Sequence, residues 1–204
     1  MDQSLKVKGT YTVGITGASG AQYGIRLVQK LLSISCKVHL VLTEAAWQVF
    51  QLELNLDTSN REKLLNQLFS ENSERLQIHS LNDYSAAIAS GSYQHDGMVI
   101  IPCSMGTLSS IASASSNNLL ERAADVMLKE KRKLIIVPRE TPLNEIHLEN
   151  MLKLSKMGVT ILPAMPGFYQ QPTDINDLID FVVGKVLDNL GVDHSLFTRW
   201  GEKS

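Results

Sequence analysis

The stretch Tyr11-Thr-Val-Gly-Ile-Thr-Gly-Ala-Ser-Gly-Ala-Gln-Tyr-Gly24 contains a strand, a turn and the opening of a helix in one short run. Tyr11 to Thr16 reads as a buried strand, and Gly17 marks its end. The turn Gly17-Ala18-Ser19-Gly20 is made of small residues. Helical spacing then sets in at Tyr23, Leu27, Val28, Leu31 and Leu32. A strand that feeds a helix through a glycine-rich turn leaves backbone N–H groups open at the helix start, where the dipole favours an anion. The turn lacks the full G-x-G-x-x-G pattern and the Gly-Lys-Ser/Thr end of a Walker loop. By itself it is equally a tight connection that binds nothing.

The alternation continues downstream. Lys37 to Thr43 reads as a second buried strand, followed by a helix from Glu44. A helix is expected over about Arg61 to Phe69, and Ser85 to Ser92 reads as a small-residue loop. Met98 to Ile101 forms a strand stopped by Pro102, then the turn Cys103-Ser-Met-Gly-Thr107 and a Ser/Ala-rich helix. Asn117-Asn118 breaks that helix, and another runs from Leu119 to about Lys131. Leu134 to Val137 is a strand stopped by Pro138, and Thr141-Pro142 is expected to open a helix reaching Met157. Val159 to Leu162 is a last strand. Asp174 caps a final helix that Gly191 ends. Strands alternating with helices predict an α/β fold: a Rossmann-like, flavodoxin-type doubly wound parallel sheet with right-handed crossovers. With no linker or repeat, residues 1–204 are expected to form one flavoprotein domain.

Composition narrows the partners. The net charge is −2, so no global field draws the chain to nucleic acid or to an anionic membrane. No apolar run is long enough to span a bilayer, and residues 1–10 lack the apolar core of a signal peptide, so a cytoplasmic protein is expected. Cys36 and Cys103 belong to no C-x-x-C pair and read as reduced thiols.

Three turns follow three strands: Gly17–Gly20, Thr43-Glu44 and Cys103–Thr107. In an open α/β sheet they share the crevice at the carboxyl ends of the strands, where a mononucleotide phosphate and its ring would sit. Arg139 and Glu140 leave the same edge; the guanidinium suits phosphate, and the carboxylate can move a proton. A surface ion pair at a helix start is the plainer alternative. Met165-Pro-Gly-Phe-Tyr-Gln-Gln-Pro172 suits a ligand wall or a bare loop. Arg122 and Lys129 lie on a charged helix whose face is ordinarily solvated, Lys185 can snorkel from an apolar helix, and His147 reads as a surface partner of Glu149.

Taken together, the segments resemble the UbiX family of flavin prenyltransferases. Those that carry the resemblance are Thr16–Gly24, Ala89–Ser92, Cys103–Thr107, Asn117–Asp125, Val137–Glu140, His147–Met151, Pro166–Tyr169 and Arg199–Glu202. The resemblance implies reduced FMN as the flavin, dimethylallyl phosphate as the prenyl donor, a dodecameric homo-oligomer, and a UbiD-type decarboxylase that receives the prenylated FMN, often for ubiquinone synthesis. It implies FMN contacts at Gly17, Ala18, Ser19, Thr43, Ser104, Met105, Gly106, Thr107, Arg122 and Arg139. The prenyl phosphate would meet Ser90, Gly91, Lys129, Arg139, Glu140, Tyr169 and Lys185. Glu53 matches a family glutamate near the flavin, and Trp200 matches an aromatic contributed across subunits. Catalytic roles would fall to Glu140, Lys129, Glu53 and Tyr169. Where this chain has Lys185 the family often has arginine; lysine keeps the charge and loses the fork. Where it has Tyr84, relatives often have tryptophan.

Two other readings remain at this point. One is a flavin-dependent decarboxylase of the peptidyl-cysteine type, from whose P-x-M-N-x-x-M-W segment Pro142-Leu-Asn-Glu-Ile-His-Leu departs. The other is a flavin carrier without catalysis. The sequence contains no D-D-x-x-D run and no cluster with metal-ligand spacing, and a monophosphate can be balanced by fixed cations. Turnover is therefore expected to survive EDTA; activity lost to the chelator and restored by Mg²⁺ would overturn that expectation.

Overall fold

A computed structural model describes residues 7–199 and residue 201. Six parallel strands form one sheet: β1 (Thr10–Ile15), β2 (Lys37–Leu42), β3 (Leu76–His79), β4 (Gly97–Cys103), β5 (Leu134–Pro138) and β6 (Thr160–Ile161). Their order is β3-β2-β1-β4-β5-β6. The winding reverses between β1 and β4, which creates the crevice expected at the carboxyl edge. The α/β, doubly wound reading therefore holds.

Helices cover both faces. α1 (Ala21–Ser33) and the last helix, α7 (Ile175–Leu190), pack on one face with α2 (Glu44–Leu54) and α3 (Arg61–Leu68). α4 (Met105–Ala112), α5 (Leu119–Lys129) and α6 (Glu145–Lys156) cover the other. The strands are apolar on both sides because both sides are covered: all seven residues of β4 are buried. Among the described residues no helix is long and apolar enough to cross a membrane. Both cysteines are buried and unbridged.

Four expectations need correction. Pro102 does not stop β4, which continues to Cys103 through a shift in register against β5. Thr141-Pro142 does not open α6; Asn144 does, its side chain accepting from His147 N while His147 Nδ1 accepts from Asn144 N. His147 is therefore one half of a capping box rather than a partner of Glu149. The last strand is only Thr160–Ile161. β3 went unpredicted: Leu76-Gln-Ile-His79 carries no long apolar run, as befits an edge strand with one open side.

A buried polar chain crosses one face of the sheet. Thr12 and His39 are register partners on β1 and β2. His39 Nδ1 lies 2.8 Å from His79 Nε2, and its Nε2 lies 2.8 Å from the Tyr93 hydroxyl. His95 Nδ1 lies 3.2 Å from Thr12 Oγ1. Burial is the main force lowering the His39 pKa to about 3, aided by His79, Lys37 and His95. His79 and His95 are also lowered, chiefly by burial. The sign follows: an unfolded histidine takes up a proton near pH 6.5, whereas folded His39 refuses it until about 3. Stability is full above pH 6.5 and falls as pH drops toward 3. His39 alone should cost about 2 kcal/mol between pH 6.5 and 5. Urea unfolding at pH 7 and pH 5 tests this, with His39→Asn expected to flatten the difference; an equal pH dependence in both proteins would remove His39 as its source.

Candidate functional site at the carboxyl edge

Three helices begin at the crevice, each after a strand. Thr43 caps α2, its Oγ1 accepting from Ala46 N at 3.2 Å. Ser104 caps α4, its Oγ accepting from Thr107 N at 3.3 Å and donating to Thr107 Oγ1 at 3.1 Å. α1 starts after Gly20, which has no side chain to cap it, and Glu53 serves instead: its Oε2 accepts from Gly20 N at 2.9 Å and Ala21 N at 3.4 Å. The carboxylate is thus held by the positive end of α1. Gly17 is set by contact, since a Cβ there would collide with that of Ala45 on α2. The turn can lie against α2 only as glycine.

Thr16 joins the two halves of the crevice. Its buried hydroxyl donates to Pro102 O at 2.8 Å and accepts from Ser104 N at 2.8 Å. The ladder continues beyond the strands through Thr43 N to Ile15 O at 3.1 Å and Arg139 N to Cys103 O at 3.3 Å. Four post-strand turns are thereby fixed in one rim. Ala18 and Met105 are buried, so of the predicted contacts these two can offer little besides backbone. Gly106 is exposed, and a Cβ there would meet nothing within 4 Å, so its face is open.

Arg139 and Glu140 do reach this rim, directly after β5. They form no ion pair with each other; Glu140 Oε1 accepts from Thr141 N at 3.1 Å. Arg139 Nε is buried without a hydrogen-bond partner. A buried cationic donor left open is uncommon and points to a missing acceptor. Tyr23, half-buried on α1, feels the Arg139 charge: burial raises its hydroxyl pKa and Arg139 works against that rise. Sequence reasoning used Tyr23 only as a helix-face residue. A cleft of about 300 Å³ lies beside Arg139 and Glu140, walled by Leu143, Met151, Pro163 and Met165.

The remaining predicted residues lie elsewhere on the chain. α5 starts near the carboxyl edge, where Leu119 N donates to Leu81 O, and ends at the amino edge, where Lys133 O accepts from Met98 N. Arg122 sits near its upper end, its Nε on Ala89 O at 3.1 Å and its Nη1 on Asp125 at 3.0 Å. Lys129 sits at its lower end, paired with Glu130 at 2.8 Å and next to Gly91. β4 spans the gap between the edges, about 20 Å at the usual rise per residue. One chain therefore keeps Ser90, Gly91 and Lys129 away from Arg139 and Glu140.

A third group forms along α7. Tyr169 packs edge-on to Phe181, with ring centres 5.7 Å apart, and Phe181 meets Phe197. Asp188 gathers Arg199 at 2.7 Å, His194 at 3.2 Å and Lys185 at 4.0 Å. Burial opposes ionisation of Asp188, but Arg199 and His194 prevail and hold its pKa below the ordinary carboxylate value. Lys185 thus leans on a carboxylate rather than simply snorkelling. Trp200 lies outside the described residues.

Known proteins resemble this chain over nearly its whole length. The family model described as Flavoprotein matches residues 2–187. A flavin prenyltransferase UbiX of Halalkalibacterium halodurans is 70% identical over 196 residues, covering 96% of this chain and 95% of that protein. The crystal structure of AnUbiX (PadA1) in complex with FMN and dimethylallyl pyrophosphate has a TM-score of 0.86 at 40% identity, covering 96% of this chain and 99% of that one. A dodecameric FMN-dependent Ubix-like decarboxylase from Escherichia coli O157:H7 has a TM-score of 0.84 at 43% identity, covering 95% and 100%.

Thr16→Val removes the acceptor of the Ser104 N–H and a buried donor to Pro102 O while keeping the shape, and a loss of about 2 kcal/mol is expected. Thr16→Ser should restore most of it. Urea unfolding at pH 7 decides, and equal stability of the two variants would show that the hydroxyl does not join β1 to β4.

Proposed function

The chain belongs to the UbiX family of flavin prenyltransferases, and from that premise we propose that its carboxyl-edge rim seats reduced FMN while another copy brings Lys129, Ser90 and Gly91 to the prenyl donor. The chain is a prenyltransferase that acts on FMN. With the family in hand, the cysteine-decarboxylase and idle-carrier readings are set aside. The observation that carries the assignment of the rim is the buried Arg139 Nε without a partner, on the same carboxyl edge as the helix starts capped by Thr43 and Ser104. Such a donor set fits a phosphorylated, anionic flavin. Gly17, Ala18 and Ser19 would offer backbone to it, with Thr43, Ser104, Met105, Gly106, Thr107 and Arg139 around them; Arg122 would come from α5.

Reduced FMN would supply N5, whose bond to the allylic carbon replaces the C–O bond to phosphate, and then C6, which would give up its proton and bond to one carbon of the prenyl double bond as a proton adds to the other. The protein handles the charge. As the allylic C–O bond lengthens, negative charge gathers on the phosphate, and Lys129, Arg139 and Lys185 are the cations proposed to offset it. Tyr169 would supply an aromatic face to the cationic allyl carbon. Glu140, unpaired with Arg139, is free to hand a proton to the departing phosphate. Glu53 fixes the start of α1 at the rim through Gly20 N.

The monophosphate is proposed as donor, although the related AnUbiX was solved with the pyrophosphate. A shared site accounts for the separation of Lys129 from Arg139 within one chain, since a symmetric assembly can bring opposite edges of two copies together. A related protein is dodecameric, and the same assembly is proposed here. A UbiD-type decarboxylase as recipient, service to ubiquinone synthesis and a cytoplasmic location complete the proposal.

Anaerobic incubation with reduced FMN and dimethylallyl phosphate should add one prenyl unit to the flavin mass. Glu140→Gln should bind FMN as before and slow single-turnover formation of product by about a hundredfold. An unchanged rate would end the role given to Glu140, and no mass gain with either phosphate ester would end the donor assignment.

A further inference from the structure

Arg132 lies just past the end of α5, three residues after Lys129, and commits both terminal nitrogens to one loop. Its Nη2 donates to Gly91 O at 2.6 Å and its Nη1 to Tyr93 O at 2.7 Å. Arg122 Nε takes the carbonyl of Ala89 just before. Guanidinium groups thus draw three carbonyls of Ala89–Tyr93 toward the α5 side. From below, His39 Nε2 holds the Tyr93 hydroxyl at 2.8 Å.

The geometry of the peptide unit gives this clamp a consequence. The C=O and N–H of a trans peptide point in opposite directions. Fixing the Gly91 carbonyl on Arg132 therefore turns the Ser92 N–H away from the guanidinium. It finds Ser90 Oγ at 3.3 Å, and the Ser90 and Ser92 hydroxyls lie 2.9 Å apart. Two hydroxyls and a backbone N–H are thus gathered on the outer side of the loop. Ser90 and Ser92 are exposed, as is Lys129. Gly91 lies hard against the Lys129–Glu130 pair: a Cβ there would run into the Glu130 carboxylate and stand 3.0 Å from Lys129 Nζ. The loop and the lysine form one small, cation-backed surface whose shape Arg132 sets.

We propose that Arg132 is a positioning residue for the prenyl donor, fixing the Ser90–Ser92 loop beside Lys129 so that its two hydroxyls meet the donor phosphate. This rests on assigning that loop and Lys129 to the phosphate. Two-point hydrogen bonding needs the planar fork, so lysine at 132 keeps the charge and loses the clamp.

The test uses the purified, assembled full chain, with dimethylallyl phosphate varied at saturating reduced FMN. Arg132→Lys and Arg132→Met should each raise the donor KM about tenfold, with kcat and FMN affinity changed by less than about threefold. Added guanidinium should lower the KM of Arg132→Ala. Lys129→Met serves as the reference for the site itself. If Lys129→Met raises the donor KM and the Arg132 variants do not, the positioning role is wrong and the site assignment stands. If Lys129→Met also leaves KM unchanged, the loop is not the donor site and both fail. If the Arg132 variants lose FMN affinity, kcat and stability together, and guanidinium restores nothing, Arg132 is only structural and the proposal is overturned.

Discussion

The rim turns on one hydroxyl that is bonded on both sides. Thr16 stands where the sheet reverses its winding, and its oxygen both donates to the end of β4 and accepts from the start of α4. The Thr16 N–H also reaches Pro102 O at 3.3 Å, but only the hydroxyl ties the end of β1 to the start of α4. With it they form one rim, and the helix starts capped by Thr43, Ser104 and Glu53 are held toward a common opening. The buried, unpartnered Arg139 Nε has meaning only because that rim is fixed: an open donor on a loose loop would turn to water.

The sequence was most legible where local chemistry and position in the fold agree. Tyr11–Gly24, Thr43-Glu44 and Ser104–Thr107 each combine a strand end, a small or capping residue and a helix start, and each sits at the predicted edge. Asp174 and Gly191 bound the last helix as expected. Legibility fell where the deciding partner is distant in the chain. Glu53 caps a helix that starts over thirty residues earlier, a bond no local pattern reveals. β3 is short and half-polar, so its pairing with β2 supplies what its own residues do not. Thr141-Pro142 looked like a helix start, yet Asn144 has the better cap because His147 answers it from the third helical position.

Family resemblance identified residues and gave Trp200 a place across subunits, but it did not say that Lys129 and Arg139 lie at opposite edges of one chain. Lys129 and Arg139 sit at opposite edges, and their segments lie only a few residues apart in sequence because β5 carries the chain from one edge to the other. Reading them as one pocket within a chain would have ignored the direction of that strand. The same logic explains the position of Arg132: a residue between α5 and β5 is at the amino edge by necessity, next to the loop that leads into β4.

The sheet has stunted borders. One outer strand is four residues long and the other two, so neither offers an incoming strand much to add to. A newly made chain is therefore poorly suited to recruiting others by extending its backbone ladder, the usual route to fibrous aggregates. The large apolar side chains left exposed on α6, Ile146, Leu148 and Leu152, lie on a helix and not on a strand margin. Short margins thus leave the backbone ladder of this sheet little room to lengthen from chain to chain.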